Sequence, residues 1–342
     1  MLRIALIGCK NAAVDYAKAP FRLEEATFAA VVDADEALAQ STAEELAAPI
    51  RAATFDELLR QHADDFDAVV VRCNISSVES IMKQVATSGK HVLLQMPLLL
   101  GMSWNNDSIA VCQSAGATVM LSQPLRFLPS IVEVKSALES GSLGNPGLLR
   151  IHDWRPPNAD EEAPAPPDEK VIGGESVFQD LLPDVDLANW VFGSAPSEIY
   201  ASTVEPEYIG IERETAGPGY VQIHLGYADG GMALIDRCVM LPPGSDYFSL
   251  SVFGSDGAAY ADDHRNMHLL YQGGRPTALP SGRGCLHHLA ELQEFVDAIA
   301  AGRRPAVTAE DGSLAEKAVR AAYLAWPVER VMRMVGSNYE LV

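Results

Sequence analysis

The 342-residue chain contains no run of about 18 apolar residues, so no transmembrane helix is expected. Cysteine is scarce. Cys9, Cys73, Cys112, Cys238 and Cys285 are dispersed, with no C-x-x-C pair. That pattern fits reduced thiols in a cytoplasmic protein better than a disulfide framework. Positive charge is also in short supply: 25 Lys and Arg stand against 46 Asp and Glu, for a net charge of -21. A surface of that sign argues against nucleic acid or an acidic membrane as a partner. A signal peptide is not expected either, because the apolar stretch Leu2–Ile7 is short and ends in the turn residue Gly8.

What is present suits two globular domains. Apolar residues make up 48% of the chain and charged residues 21%. Leu2–Ile7, Phe28–Val32, Ala68–Val71, His91–Leu94 and Thr118–Leu121 read as buried strands. Helical spacing lies between them, from about Val14, over Glu36–Ala47, over Ser77–Thr87 and over Asn106–Ala115. Thr54-Phe55-Asp56-Glu57 has the form of a helix cap and first turn. Apolar strands alternating with helices predict a doubly wound parallel sheet over residues 1–124.

The pattern changes over 125–342. Ile131–Glu139 reads as a helix closed by Gly141, and longer strands with period-two alternation follow. Tyr220–Tyr227 and Met232–Met240 flank Ala228-Asp229-Gly230-Gly231, a hairpin turn. Phe248–Phe253 and His268–Tyr271 continue the series, which predicts an α+β domain with a mostly antiparallel sheet. Arg155–Glu169 reads as a surface loop. Leu286 to Ile299 form one apolar helix face, and a last helix is expected over Leu314–Met334, kinked or broken at Pro327. The adjacent His287 and His288 lack the three- or four-residue spacing of a helical ligand pair, and no metal site is expected.

Several short motifs occur in a telling order. They are Gly89-Lys90-His91-Val92 with Pro97, Arg126-Phe127, Gly141-Ser142-Leu143-Gly144, and Gly173-Gly174 leading to Asp186, Trp190 and Gly193. Phe253-Gly254-Ser255-Asp256-Gly257 and Phe295-Val296-Asp297-Ala298-Ile299 follow. Together they resemble the glucose–fructose oxidoreductase / inositol dehydrogenase / rhizopine-catabolism (Gfo/Idh/MocA) family over nearly the whole chain. The resemblance implies an N-terminal Rossmann domain and a C-terminal α+β substrate and dimerisation domain, its last helix returning to the Rossmann domain. It further implies NAD(P)-dependent chemistry on a sugar, polyol or related alcohol, and a homo-oligomer formed through the C-terminal sheet.

A dinucleotide loop needs glycines for close approach to a pyrophosphate. Gly8 is kept, Lys10 stands at the family's second glycine, Asn11 follows, and Ala13 stands at the third. Lys10 either pairs with a phosphate or points to solvent. Asp33, after the second strand, suits an adenosine ribose, and Ala34 offers nothing to a 2′-phosphate, so NAD(H) is favoured over NADP(H). In the loop that holds the nicotinamide half in the family, this chain has Cys73-Asn74-Ile75, with Arg72 where a small residue is usual and Val78 at the histidine position. Cys73 reads as a small filler.

The family's Glu-Lys-Pro aligns with Gln95-Met96-Pro97, and its catalytic aspartate and histidine align with Gln179 and Pro183. Methionine has no charge and no donor, and neither glutamine nor proline can serve as a base. Asp180 and Asp184 repeat the four-residue spacing one position later and are possible substitutes, although a helix cap at Asp180 and a dipole-favoured Asp184 suit them better. His152 and His224 are expected to be structural or solvent-facing, and Arg126 to form a salt bridge. The leading expectation is therefore a family member without the usual dehydrogenase catalysis, retaining a nucleotide or sugar-like ligand. The alternatives are an active NAD-dependent oxidoreductase with non-standard residues, or an inactive partner subunit of an active relative.

Overall fold

The structure is a computed structural model describing residues 1–10, 16, 23–73, 75–95, 103–155, 181–204, 219–238, 247–262, 267–272, 275–280, 286–328 and 330–342. By compactness the chain divides into two units: Met1–Phe127 with Cys285–Gly312, and Leu128–Gly284 with Ser313–Val342. No helix among the described residues is long and apolar enough to cross a membrane.

The first unit is built on a six-stranded parallel sheet. Its strands are β1 (Leu2–Ile7), β2 (Ala26–Val32), β3 (Ile50–Ala52), β4 (Ala68–Val71), β5 (His91–Gln95) and β6 (Val119–Ser122), in the order β3-β2-β1-β4-β5-β6. The middles of the central strands are apolar because both faces are covered: Ile4, Ala5, Leu6, Ala68, Val69 and Val92 have no exposed surface. Helices α1 (Glu36–Leu46), α2 (Phe55–His62), α3 (Ile75–Ser88) and α4 (Ser103–Ser114) alternate with the strands. Local chemistry sets their starts. Asp35 caps α1 by accepting from the Ala37 and Leu38 N–H groups at 3.0 and 3.1 Å. Thr54 caps α2 by accepting from Glu57 N at 3.2 Å, and the Glu57 carboxylate reaches back to Ala53 N at 3.0 Å.

This core is completed from far along the chain. Helix α7 (His287–Ala301) contributes Leu289, Leu292, Phe295 and Val296, and Val307 follows. Glu291, fully buried, accepts from the Ser122 hydroxyl at 2.9 Å and from the Gln123 N–H. Leu121 N donates to Val307 O at 3.2 Å. Arg126 is buried, donates to Ala306 O at 3.3 Å and lies 3.9 Å from Asp311, a structural role.

The second unit carries a ten-stranded sheet in the order β14-β13-β12-β11-β7-β10-β9-β8-β15-β16. Its strands are β7 (Pro146–Trp154), β8 (Glu198–Val204), β9 (Tyr220–Gly226), β10 (Met232–Cys238), β11 (Tyr247–Gly254), β12 (Gly257–Asp262), β13 (Met267–Gln272), β14 (Arg275–Pro280), β15 (Met332–Val335) and β16 (Asn338–Leu341). All neighbours are antiparallel except β7 and β10. Helix α5 (Pro129–Glu139) lies against β12 and β13, and α6 (Leu182–Phe192) against β7 and β10. Alternation divides the two sheet faces: Leu149, Ile151, Asp153, Val221, Ile223 and Ile235 are buried, while His152, Trp154, Gln222 and His224 between them are half-exposed.

The chain end differs from expectation. Helix α8 spans Ala309–Ala325 and gives way to a 3₁₀ turn at Trp326–Val328, then to the β15–β16 hairpin, where a helix to Met334 is expected from the sequence. Pro327 cannot donate to a helical ladder. Cross-strand partners then hold the extended form: Arg333 pairs with Glu198 at 2.7 Å, and the Tyr339 hydroxyl donates to Pro196 O at 2.7 Å.

Glu316 on α8 is 4% exposed, and neither carboxylate oxygen has a hydrogen-bond partner among the described residues. Burial pushes its carboxyl up to about 9. Between the ordinary carboxylate range and that value, the folded chain holds a proton that the unfolded chain has lost. The contribution of this group to stability is therefore greatest at acidic pH and falls as pH rises toward 9, a cost on the order of 3 kcal/mol near neutrality. Glu316→Leu is expected to raise the melting temperature, and to raise it more at about pH 8 than at about pH 5. Calorimetry at the two pH values measures this; an equal shift at both would remove the titration argument.

Candidate functional site

In the order β3-β2-β1-β4-β5-β6 the connections run outward in opposite directions from β1 and β4, which leaves a crevice beyond their carboxyl ends. Gly8 follows β1 with φ +89°, and a Cβ there would lie 2.1 Å from the Arg72 carbonyl oxygen. Only glycine fits both the backbone angle and the approach. The turn is held by Gly8 N donating to Val32 O at 2.9 Å and by Arg72 N donating to Ile7 O at 2.7 Å.

Asp33 leaves the tip of β2 beside this turn. Its Oδ2 accepts from Cys9 N at 2.8 Å and its Oδ1 from Asp35 N at 2.9 Å. Each ionised carboxylate oxygen can accept more than one hydrogen bond, so acceptor capacity remains for a ribose hydroxyl. Lys10 is exposed. Burial, with a smaller contribution from Asp33, pushes the Cys9 thiol up to about 12, and burial pushes Cys73 up to about 11. Both stay protonated near neutral pH, so neither is a ready nucleophile. Gln95 ends β5 as an exposed residue paired in register with Ser122. Asn11, Asn74, Met96 and Pro97 lie outside the described residues.

Four residues join this edge that the sequence does not bring together. The Arg72 guanidinium lies 5.3 Å from the centre of the Tyr16 ring. Tyr16 is 1% exposed and meets His288 edge-on at 6.4 Å. His287 and His288, expected to diverge as neighbours on a helix, instead have ring centres 4.3 Å apart. They open α7. No group of three or more potential metal ligands occurs among the described residues. Arg72 is visible in the sequence as a departure from a small residue, but nothing in the sequence links it to Tyr16.

In the second unit, the first turn of α6 contains Leu182, Pro183 and Asp184. The helix cap is Leu181 (φ −77°, ψ −14°), without a side-chain hydrogen bond. Pro183 is accommodated in the first turn, where a missing N–H costs nothing. Gln179 and Asp180 lie outside the described residues. Asp184 has no exposed surface and sits 3.9 Å from Arg237 Nη1, an ion contact longer than a hydrogen bond. Arg237 Nη1 donates to Asp153 Oδ2, and Arg155 grips Asp153 with Nε at 2.7 Å and Nη2 at 2.9 Å. The result is an alternating network, Arg155–Asp153–Arg237–Asp184, with three of its four members buried.

His152 and His224 belong to the other sheet face. His152 Nδ1 approaches Asp236 Oδ2 at 2.9 Å, a contact whose angle does not make a hydrogen bond. Asp236 Oδ1 accepts from the Tyr220 hydroxyl at 3.0 Å and from Gln222 Nε2 at 2.6 Å, and His224 Nε2 lies 3.4 Å from Gln222 Oε1. Both histidines are engaged in a sheet-surface network.

The comparisons agree with this architecture. Residues 2–123 match the family model described as oxidoreductase family, NAD-binding Rossmann fold, and residues 131–260 match the GFO/IDH/MocA C-terminal domain. Myo-inositol 2-dehydrogenase from Thermotoga maritima is 26% identical over 324 residues, covering 92% of this chain and 93% of that protein. A crystal structure of a probable dehydrogenase from Thermotoga maritima has a TM-score of 0.80 at 25% identity, covering 97% of this chain and 98% of that one. An oxidoreductase from Agrobacterium radiobacter, crystallised with NAD+, L-tartaric acid and magnesium, has a TM-score of 0.81 at 19% identity, covering 97% and 98%. With both halves matched and the fold shared along almost its full length, the chain belongs to the Gfo/Idh/MocA oxidoreductase family.

Proposed function

We propose that this protein binds NAD(H) at the crevice between β1 and β4 and does not oxidise alcohols by the family's usual acid–base route. One observation carries the nucleotide half: Asp33 at the tip of β2 adjoins a glycine turn that tolerates no Cβ. The residues present fit the dinucleotide. Gly8 allows the backbone to approach a pyrophosphate, and Asp33 accepts from a ribose diol. The same carboxylate repels a 2′-phosphate, and Ala34 offers no compensating donor. When bound, the nicotinamide ring supplies hydride-transfer chemistry; this chain contributes binding and orientation.

The catalytic half rests on α6. Pro183 at the base position cannot titrate, and its neighbour Asp184 is buried beside Arg237. An ion-paired carboxylate in that setting is a poor general base, because taking up a proton would break the pair. The reading is a nucleotide-dependent protein with a sensing, regulatory or assembly role and a sugar- or polyol-like ligand. A homo-oligomer formed through the half-exposed face of the ten-stranded sheet belongs to the same reading, supported by the row of Trp154, Tyr220 and Tyr247 on that face.

NADH and NADPH titrated against the full chain, followed by fluorescence and melting temperature, test the nucleotide half. NADH is expected to bind more tightly, and at 100 times its dissociation constant to add about 2.7 kcal/mol of stability. Binding of neither nucleotide sinks the reading. With NAD+ bound, a panel of sugars and polyols is expected to show no turnover; turnover would restore the dehydrogenase. A further variant tests the charge network. Asp153→Asn leaves Arg237 under-compensated and is expected to lower urea-unfolding stability by about 3 kcal/mol, with unchanged NADH affinity. A loss under about 1 kcal/mol would show that the network is not a stabilising pair.

A further inference from the structure

Arg72 follows β4 directly. Its backbone forms the wall of the crevice, since its N–H closes onto Ile7 O at 2.7 Å and its carbonyl is the atom that excludes a Cβ at Gly8. Those are main-chain roles. The side chain instead places a permanent positive charge at the carboxyl end of β4, at the point where a doubly wound sheet receives its ligand.

The charge is held in place. The guanidinium rests over the Tyr16 ring at 5.3 Å. Tyr16 is fixed in turn by Phe28, with ring centres 5.9 Å apart, and by His288 at 6.4 Å. A planar cation on a buried aromatic platform has already lost much of the rotamer freedom that binding would otherwise remove. Lys10, by contrast, is exposed.

The surroundings need such a charge. Asp33 and Asp35 stand at the same edge, and the chain as a whole carries -21. The nearby thiols of Cys9 and Cys73 are neutral. A dianion approaching this edge is repelled unless a cation meets it, whereas a neutral sugar gains little from one.

We infer that Arg72, fixed on Tyr16 beside the Gly8 turn, is the cation that receives the diphosphate of the bound dinucleotide. This rests on the NAD(H) reading above and adds the residue that sets its strength. The planar guanidinium presents paired N–H donors to phosphate oxygens, which matches a diphosphate better than a single ammonium does.

The test uses the full chain with NADH and ADP-ribose as probes, at low and moderate salt. Arg72→Met is expected to weaken both probes by about tenfold or more and to flatten the salt dependence. Arg72→Lys is expected to fall between Met and the unaltered chain. Arg72→Gln, which keeps a polar group near Tyr16, replaces the Met variant if that does not fold. A merely structural residue would lower the melting temperature while leaving both affinities within about twofold and the salt dependence unchanged, and that result overturns the inference. If the unaltered chain binds neither probe, the NAD(H) reading itself fails and the inference goes with it. Binding by the unaltered chain together with indifference to Arg72 removes the inference alone.

Discussion

The approach of the Arg72 carbonyl to Gly8 governs the ligand edge of the first unit. At 2.1 Å from a Cβ position, it leaves room for one residue type, and the positive φ at Gly8 makes the same demand through the backbone. Because β1 and β4 are thereby drawn together at their ends, the chain after β1 must turn away at once. That turn brings Cys9 N within reach of Asp33, and Asp33 in turn orders Asp35, which caps the next helix. A steric constraint at one glycine thus passes through hydrogen bonds to the acid at the tip of β2.

The two units handle charge differently. In the first, the ligand edge combines an acid bound by backbone amides, neutral thiols and one stacked guanidinium. In the second, charges are buried in alternation, Arg155–Asp153–Arg237–Asp184, so each carboxylate is met by a guanidinium. Such a network holds α6 to the sheet through ion contacts. Glu316 differs: with no hydrogen-bond partner among the described residues, it avoids charge by keeping its proton.

The parallel sheet was legible in the sequence because its strands are buried on both faces and read as unbroken apolar runs, as at Ala68–Val71. The caps at Asp35 and Thr54 depend on residues within three positions, and the Thr54 start was equally readable. The β15–β16 hairpin was not. Its extended form depends on Glu198 and Pro196, far away in sequence, while the segment Leu314–Ala325 before it has strong helical spacing. The site shows the same division. Gly8 and Asp33 follow from local strand-end logic, whereas the Arg72–Tyr16 stack and the Asp184–Arg237 contact join residues with no periodic relation. Asp184 reads as a helix-dipole residue from sequence because its arginine lies on β10, far away along the chain.

The contribution of α7 to the first core bears on how the chain is made. Leu292, Phe295 and Val307 fill space against strands that end by Ser122, and Glu291 closes the last hydrogen bonds of β6. During synthesis those strands emerge first, yet the side chains that seal them emerge only after most of the ten-stranded sheet has followed. The unit that begins the protein is therefore among the last parts to be completed. Until then, a growing chain carries an open apolar groove along β5 and β6, a period when it is exposed to aggregation or to capture by chaperones.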